Sequence, residues 1–275
     1  MPELPEVETT IRGLKPIVGS TILNIKVHTP KLRFLIPKNI IYIQTSKIIN
    51  IKRRGKFIII SLDNYFSIII HLGMSGRLRL INKLKFKKNK HDHIVLNMNY
   101  DYFLIFNDAR RFGFVDYQKT DNLENIKYFS KLGQEALGKS FTGQYLFSRV
   151  RKSVVPIKQI LLNQKIIAGI GNIYACEILF DAKISPFKKG KEITLKDCKK
   201  ITISTKKILN RAIKAGGSSL KDYVSTDGTL GNFQNNFKVY NREGEKLYGK
   251  IIKKTVQYGR STYYLPSLQN KKNNI

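Results

Sequence analysis

The sequence of 275 residues predicts an α+β protein, in which an N-terminal antiparallel β-sandwich with a flanking helix precedes a helical domain and a final β-hairpin. Residues 21–117 contain about seven short runs of β-branched and aromatic residues, separated by Asn, Gly and Asp. From about residue 132 onward, apolar residues recur at helical spacing instead. Runs of β character return after residue 236. At roughly 150 residues per domain, this length indicates about two domains.

The first half begins with a short amphipathic helix at about 4–14, where apolar residues recur at helical spacing until Pro16 ends the pattern. The Lys-rich stretch Lys83–Lys90 is expected to be a loop. Strands are expected at Ile22–Val27, Ile48–Ile51, Phe57–Leu62, Phe66–His71, His93–Met98, Tyr102–Phe106 and Phe114–Tyr117.

The second half predicts helices joined by a tight turn that contains Gly169 and Gly171. The expected helices are Pro156–Gln164, Ile173–Ala182, Leu195–Ala215 and Leu220–Val224, and the expected strands are Phe237–Tyr240, Ile251–Gln257 and Ser261–Leu265, the last two forming a hairpin. These elements predict a β-sandwich domain at 1–132, a helical domain at 133–236 with a Gly-rich loop at 216–236, a hairpin at 237–270 and a basic tail at 271–275.

Charge is the unusual property of this composition. Fifty Lys and Arg against 19 Asp and Glu give a net charge of +31, which favours a polyanionic partner: nucleic acid, or less readily an anionic membrane surface. Ile, Lys and Asn are abundant throughout, as in chains encoded by AT-rich genomes, so part of this charge reflects composition. The most apolar stretch, 57–74, is interrupted by Asp63 and His71, so no membrane span is expected.

Two cysteines, Cys176 and Cys198, are too few for a disulfide framework or a four-thiolate metal site. A reducing intracellular compartment fits this content best. The N-terminus also lacks the order of a basic and then an apolar region that marks a secretory signal.

The N-terminus carries the sharpest chemical signal. Pro2 is small enough that removal of Met1 is expected, which leaves a free secondary amine on Pro2. An α-amino group has a pKa of about 7.7–8.0, against about 10.4 for lysine, so it is a ready nucleophile for a carbonyl or a sugar C1′. Glu3 is adjacent and suits a general acid or base. Taken alone, these residues more often simply begin a chain.

Further motifs change that interpretation. They are Met1–Thr9, Arg53–Lys56, His71–Gly76, His91–His93, Asp108–Gly113, Gly169–Ala175, Val239–Gly244 and Gly259–Thr262. In this order, and over almost the whole chain, the sequence resembles the formamidopyrimidine-DNA glycosylases. Each motif is weak alone, and the collinear set is specific.

The resemblance implies a bifunctional base-excision repair enzyme that removes oxidised purines such as 8-oxoguanine and formamidopyrimidines, then cuts the abasic strand by β- and δ-elimination. Pro2 would be the Schiff-base nucleophile and Glu3 the proton donor. Lys56 would donate a proton in β-elimination and Arg260 in δ-elimination. Lys56 precedes an apolar strand, although a surface lysine would be the simpler interpretation without the family likeness.

The resemblance also implies DNA contacts. A damaged base must leave the helical stack, and Met74, Arg110 and Phe112 suit filling the hole that it leaves. Each of these three has an ordinary alternative, as a core residue or a solvated charge. The remaining expected contacts are His91, Lys158, Asn172, which also suits an N-cap, and Tyr240. The 216–236 loop corresponds to a lid over the extruded base.

One feature departs from the family pattern. Family members usually end in a four-cysteine zinc finger, and here residues 237–275 contain no cysteine. We therefore expect no metal and no cofactor. An apolar cluster is expected to close the hairpin instead, built from Leu247, Ile251, Val256, Tyr263, Leu265 and Leu268.

The expected partner is damaged double-stranded DNA, bound by a monomer in the bacterial cytoplasm at the nucleoid, with no membrane involved. Three other interpretations stay open: an endonuclease VIII-like glycosylase for oxidised pyrimidines, a non-catalytic DNA-binding protein, and a basic RNA- or ribosome-associated protein. Retention of Pro2, Glu3, Lys56 and Arg260 argues against loss of catalysis, and the ordered motifs argue against the RNA interpretation.

Overall fold

A computed structural model describes residues 2–218, 226 and 231–269. The expected helix at Leu220–Val224, most of the expected lid loop and the basic tail lie outside these residues. The described parts of Met1–Ser130 and Ile213–Gln234 form one compact unit, and those of Lys131–Ala212 and Asn235–Ile275 form a second. The domain boundaries expected from the sequence stay a prediction.

The first unit begins with helix α1 (Leu4–Gly13), close to the expected bounds. Glu3 is its N-cap and forms a capping box with Glu6, so two amides of the first turn gain side-chain acceptors. Leu4, Val7 and Ile11 are buried, as the helical spacing predicts.

Eight antiparallel strands form the expected β-sandwich. They are β1 (Ile22–Val27), β2 (Ile48–Arg54), β3 (Phe57–Leu62), β4 (Phe66–His71), β5 (Arg77–Asn82), β6 (Asp92–Met98), β7 (Tyr102–Asn107) and β8 (Phe114–Lys119). One sheet has the order β1-β6-β7-β5 and the other β2-β3-β4-β8. Strand β5 is missing from the prediction, because its Arg77 and Arg79 do not read as apolar or aromatic β positions.

The core lies between the two sheets. Ile94 and Leu96 of β6 and Ile58 and Ile60 of β3 belong to one buried cluster, which also holds Val7 of α1. Alternate residues of each strand point to the same face, so the period of two that marks the strands in the sequence supplies these inward side chains.

The second unit is mainly helical. Its helices are α2 (Gly143–Val150), α3 (Ile157–Leu162), α4 (Asn172–Asp181), α5 (Leu195–Lys214) and α6 (Pro266–Gln269). Three lie within two residues of the expected bounds, whereas α2 and α6 were not expected. A pair of two-residue parallel strands, β9 (Gln134–Glu135) and β10 (Ile167–Ala168), leads to the Gly-containing turn before α4.

The C-terminal region forms two antiparallel pairs. They are β11 (Lys246–Leu247) with β12 (Lys250–Ile251), and β13 (Lys253–Gln257) with β14 (Arg260–Tyr264). The second pair is the expected hairpin. The expected strand Phe237–Tyr240 is wrong, because its backbone amides bond to a buried carboxylate and not to a neighbouring strand.

Short 3-10 turns join these elements at Lys15–Ile17, Lys38–Ile43, Lys83–Lys85, Thr120–Asn125, Gly190–Glu192 and Phe233–Asn236. Within the described part of the chain, every helix is too short or too polar to cross a bilayer.

Candidate active site and nucleic-acid interface

The N-terminal residues are held at the start of α1. Pro2 and Glu3 are buried, and the Glu3 amide donates to Glu6 Oε2 at 2.9 Å. The other oxygen of Glu6 accepts the amide of Ser218 at 2.8 Å and its hydroxyl at 3.0 Å. Glu6 is 1% exposed, and its carboxylate therefore fixes both the N-terminus and the beginning of the segment expected to be a lid.

Lys56 lies in the tight turn between β2 and β3, after Gly55, which has a φ of 55°. It is 8% exposed, consistent with a lysine at the mouth of a buried strand. Helix α1 packs on both strands, and Arg53 Nε donates to Glu8 Oε2 at 3.0 Å. This ion pair fastens the Lys56 turn to the helix that carries Pro2 and Glu3 at its N-terminal end.

His71, at the end of β4, shares this environment. Burial, and then the positive charges of Lys56 and Arg33, lower the pKa of His71 from 6.5 to about 4. Its Nδ1 accepts the amide of Gly73 at 3.0 Å, and its ring stacks on Phe114. His71 is therefore neutral at pH 7 and adds no positive charge next to Lys56.

The three residues expected to fill the hole in DNA lie on two adjoining loops. Gly73, with a φ of 63°, packs so closely on the other loop that a Cβ would lie 2.4 Å from the Gly113 nitrogen. Arg110 is exposed, and its guanidinium lies 5.0 Å from the ring centre of Phe112, which is 45% exposed. Met74 is partly buried. The loop that carries Met74 is thus in contact with the loop that carries Arg110 and Phe112.

Asp108 organises both loops. It is fully buried, and its carboxylate accepts the Ser75 hydroxyl at 2.5 Å, the Arg110 amide at 3.2 Å and the Gly113 amide at 2.7 Å. Its own amide donates to the carbonyl of His91 at 3.1 Å, which places the His91 turn beside the same loops. The side chain of His91 is partly buried.

In the second unit, Lys158 and Asn172 converge on the hairpin. Lys158 Nζ donates to the Ser261 carbonyl at 2.9 Å and to Thr262 Oγ1 at 2.7 Å, and Asn172 Nδ2 donates to the same carbonyl at 3.0 Å. Lys158 is 0% exposed. The N-cap expectation for Asn172 is wrong: Gly171 is the N-cap, and Asn172 is the first residue of α4, with its side-chain amide bonded to Ser261. Contact of either residue with phosphate stays a prediction.

Tyr240 is partly buried, and its ring lies edge-on to Tyr263, with centroids 5.0 Å apart. The carboxylate of Glu177 holds the preceding segment, since its Oε1 accepts the amides of Lys238, Val239 and Tyr240 at 3.1, 2.9 and 2.9 Å. Burial raises the pKa of Glu177, and the amide donors oppose that rise.

Arg260 begins β14 immediately after the hairpin turn. Tyr258 and Gly259 have φ values of 49° and 71°, as in the two-residue turns that match the twist of a hairpin. Gln257 pairs with Arg260 across this turn. The arginine is exposed, and its backbone is fixed between the turn and the clamped Ser261.

The apolar cluster beneath the hairpin differs in part from the expected one. Tyr263 and Leu265 are buried there, and Leu247 and Leu268 pack against them, as expected. The expectation is wrong for Ile251 and Val256, which are 54% and 66% exposed. Ile252 points inward, so its neighbour Ile251 points outward, and Val256 pairs with Ser261 near the hairpin tip. The other buried members are Cys176, Phe180, Val239 and Ile252.

The hairpin region does not fit a zinc site. Residues 237–275 contain no Cys, His or Asp, and the acidic residues there, Glu243 and Glu245, pair with Lys254 and Arg242. Cys176 is part of the apolar cluster, and burial raises the pKa of Cys198 to about 12. Among the described residues, no three His, Cys, Asp or Glu side chains come together.

Comparison with known proteins agrees with this architecture. Residues 1–115 match the model of the formamidopyrimidine-DNA glycosylase N-terminal domain, and residues 132–224 match that of the formamidopyrimidine-DNA glycosylase H2TH domain. The second match places the chain in the class of helix–two-turn–helix proteins.

Full-length relatives are similar throughout. The formamidopyrimidine-DNA glycosylases of Zymomonas mobilis and Dinoroseobacter shibae are 45% and 41% identical over 272 and 283 residues, which cover 98% of this chain and 100% of each relative. The chain belongs to the formamidopyrimidine-DNA glycosylase family.

Solved structures give the same result. A mutant Lactococcus lactis FPG in complex with Fapy-dG containing DNA superposes with a TM-score of 0.90 at 36% identity, covering 98% of this chain and 100% of the other. The wild-type Lactococcus lactis FPG in complex with an oxidised pyrimidine containing DNA superposes at 0.89, also at 36% identity.

The structure thus brings Pro2, Glu3 and Lys56 into one unit and Lys158, Asn172 and Arg260 into the other. Three organising residues escaped the sequence prediction: Glu6, Asp108 and Glu177. Glu6 and Asp108 both lie within family motifs. The available signals were the N3 capping position of Glu6 and the position of Asp108 at the start of the Asp108–Gly113 motif. Glu177 had no comparable signal, because its three donors lie about sixty residues further along the chain.

Proposed function

We propose that this protein is a base-excision repair DNA glycosylase with AP lyase activity, which removes formamidopyrimidines and other oxidised purines from duplex DNA. The observation that carries the proposal is family membership over the full chain together with Pro2, Glu3, Lys56 and Arg260 at the matching motif positions. The partner is damaged double-stranded DNA, bound by a monomer. From this substrate we infer that the protein acts in the bacterial cytoplasm, at the nucleoid.

In the proposed mechanism the unprotonated amine of Pro2 attacks C1′ of the extruded nucleotide. The bond from C1′ to the base breaks, and the base leaves. The C1′–O4′ bond of the sugar then opens as Glu3, held at the N-cap of α1, protonates O4′, and loss of the amine proton leaves an iminium that joins Pro2 to C1′. The resulting iminium acidifies the 2′ hydrogen, so its loss expels the 3′ phosphate in β-elimination. Lys56 donates a proton in that step. Arg260 assists loss of the 5′ phosphate in δ-elimination.

The burial of Lys56 and the neutrality of His71 support this assignment. Lys56 is 8% exposed, so its side chain has little freedom to leave this region. Because His71 is neutral at pH 7, it adds no positive charge beside Lys56. Met74, Arg110 and Phe112 are proposed to enter the duplex where the base leaves, since Asp108 holds their two loops together.

Borohydride trapping tests the proposal. Mature protein is incubated with duplexes that carry 8-oxoguanine opposite cytosine, thymine glycol or an abasic site, and the trapped adduct is digested and mapped by mass spectrometry. We expect an adduct on Pro2, loss of Met1 in the intact mass, and a strong reduction of base excision in Pro2→Gly.

An adduct on Lys56 or another lysine, or no adduct with any substrate, would contradict the mechanism. Thymine glycol deserves its own arm, because a Lactococcus lactis relative was solved with an oxidised pyrimidine containing DNA. Cutting of that substrate alone would favour the endonuclease VIII-like interpretation.

A further inference from the structure

The hairpin presents Arg260 and Thr262 on the same face of β14, because alternate residues of a strand point the same way. Gln257 and Thr255 lie opposite them on β13. Arg260 is exposed at the tip, whereas Thr262 is 0% exposed and Gln257 is 9% exposed. The face that carries the proposed δ-elimination residue is therefore polar and buried at its base.

The hydroxyl of Thr262 is the centre of a directional hydrogen-bond chain. Lys158 Nζ lies 2.7 Å from Thr262 Oγ1, and an ammonium group donates only. The hydroxyl proton therefore goes to Gln257 Oε1, at 2.9 Å. That acceptor role turns the amide nitrogen of Gln257 toward the Pro186 carbonyl, at 3.5 Å.

A second buried amide fastens the other end of β14. Gln269 is 4% exposed; its Oε1 accepts the amide of Leu265 at 2.7 Å, and its Nε2 donates to the Ile184 carbonyl at 2.9 Å. The hairpin is therefore tied by glutamines to the segment that follows α4.

We propose that this buried polar network positions Arg260 for δ-elimination. Thr262, Gln257 and Gln269 are positioning residues, and Lys158 links them to the helix–two-turn–helix element. The inference rests on the proposed role of Arg260. It goes beyond the apolar cluster, because directional hydrogen bonds tie the hairpin that carries Arg260 to the residues after α4.

Thr262→Val tests the network, since it removes the hydroxyl at nearly constant shape. Thr255→Val makes the same change on the paired residue of the same hairpin and is the matched control. Thr262→Ser restores the hydroxyl. The assays are the ratio of δ- to β-elimination product on an abasic duplex, and hydrogen exchange of the β14 amides.

We expect Thr262→Val to lower the δ-to-β ratio about tenfold and to speed exchange of the β14 amides about tenfold, because the buried Gln257 oxygen loses the hydroxyl that donates to it and Lys158 loses one of its acceptors. Thr255→Val and Thr262→Ser should stay within about twofold of the parent protein. Total β-elimination should change little. If Thr262→Val does not fold, Gln257→Met removes the acceptor of the Thr262 hydroxyl and takes the place of Thr262→Val in both assays.

An unchanged δ-to-β ratio in a folded Thr262→Val or Gln257→Met protein would overturn the proposal. So would stoichiometric zinc in the purified protein, with δ-elimination lost on chelation and restored by zinc. If the parent protein yields only β product, the positioning of Arg260 is refuted. Hydrogen exchange would then still report whether the network orders the hairpin, and trapping at Pro2 would judge the proposed function separately.

Discussion

Replacement of Asp108 by alanine should loosen both loops that are proposed to enter DNA. The carboxylate is fully buried and accepts hydrogen bonds from the Ser75 hydroxyl, the Arg110 amide and the Gly113 amide. Ser75 and Gly113 are buried, whereas Arg110 is exposed and can bond to water. At about 1–3 kcal/mol for each buried donor without an acceptor, Asp108→Ala should cost about 2–6 kcal/mol of unfolding free energy.

Asp108→Asn should cost much less, about 1 kcal/mol, since its carbonyl oxygen still accepts from Gly113 while its amide donates to the Ser75 oxygen. Asp121→Ala, at an exposed aspartate, is the control and should change the unfolding free energy by less than about 0.5 kcal/mol. Urea denaturation measures all three variants.

The functional assay compares two substrates at a temperature where Asp108→Ala is folded. Excision of 8-oxoguanine from a duplex requires the loops to fill the hole, whereas incision of a single-stranded abasic site does not. We expect the duplex reaction to fall at least tenfold more than the single-strand reaction. Equal losses on both substrates, or a wild-type unfolding free energy in Asp108→Ala, would refute the proposed function of this carboxylate.

Two further predictions concern buried ionisable groups. The folded pKa of His71, about 4, lies below its unfolded value of 6.5, so its contribution is present above pH 6.5 and is lost as the pH falls to about 4. That contribution is at most about 3 kcal/mol, and His71→Asn, whose Oδ1 can replace Nδ1, should show a correspondingly flatter pH dependence in urea titrations; identical slopes would contradict the assignment. Glu177→Leu should lose about 3 kcal/mol by leaving the three backbone amides of 238–240 without the carboxylate acceptor. Glu177→Gln should lose only about 1 kcal/mol, because Oε1 keeps the amides of Val239 and Tyr240 and only the Lys238 bond to Oε2 is replaced by an amide nitrogen. Thermal unfolding of both variants decides this, and equal losses would show that charge and not hydrogen bonding matters.

Much of the sandwich follows from local sequence. Strands β1, β3 and β4 have the predicted bounds. In β3 and β4 a run of isoleucines is followed by Asp63-Asn64 and by Gly73, which mark the end of each strand. Strand β5 does not, since its arginines are accommodated by distant partners: Arg79 Nη2 bonds to both oxygens of Asp92 at 2.8 Å. The residues next to β5 in the sequence do not reveal this partner, so the strand could not be predicted from local sequence.

The same division applies to the site. Pro2 and Arg260 are recognisable because short motifs surround them. The role of the Asp108 carboxylate is not recognisable in this way, because its donors come from two different loops. One of them, Ser75, is 33 residues away in the sequence. The run Phe237–Tyr240 has β propensity, yet Glu177 captures its amides, so tertiary structure overrides local preference there.

One carboxylate oxygen of Glu6 accepts from Glu3 and the other from Ser218, and this has a consequence for synthesis on the ribosome. Glu6 is translated at once, but its second pair of donors is 212 residues further along the chain. Until Ser218 has been synthesised, Glu6 lacks both of these donors, so this part of the N-terminal hydrogen-bond network forms only after most of the chain has been made. The amine end of the nascent polypeptide is therefore among the first parts made and among the last parts completed.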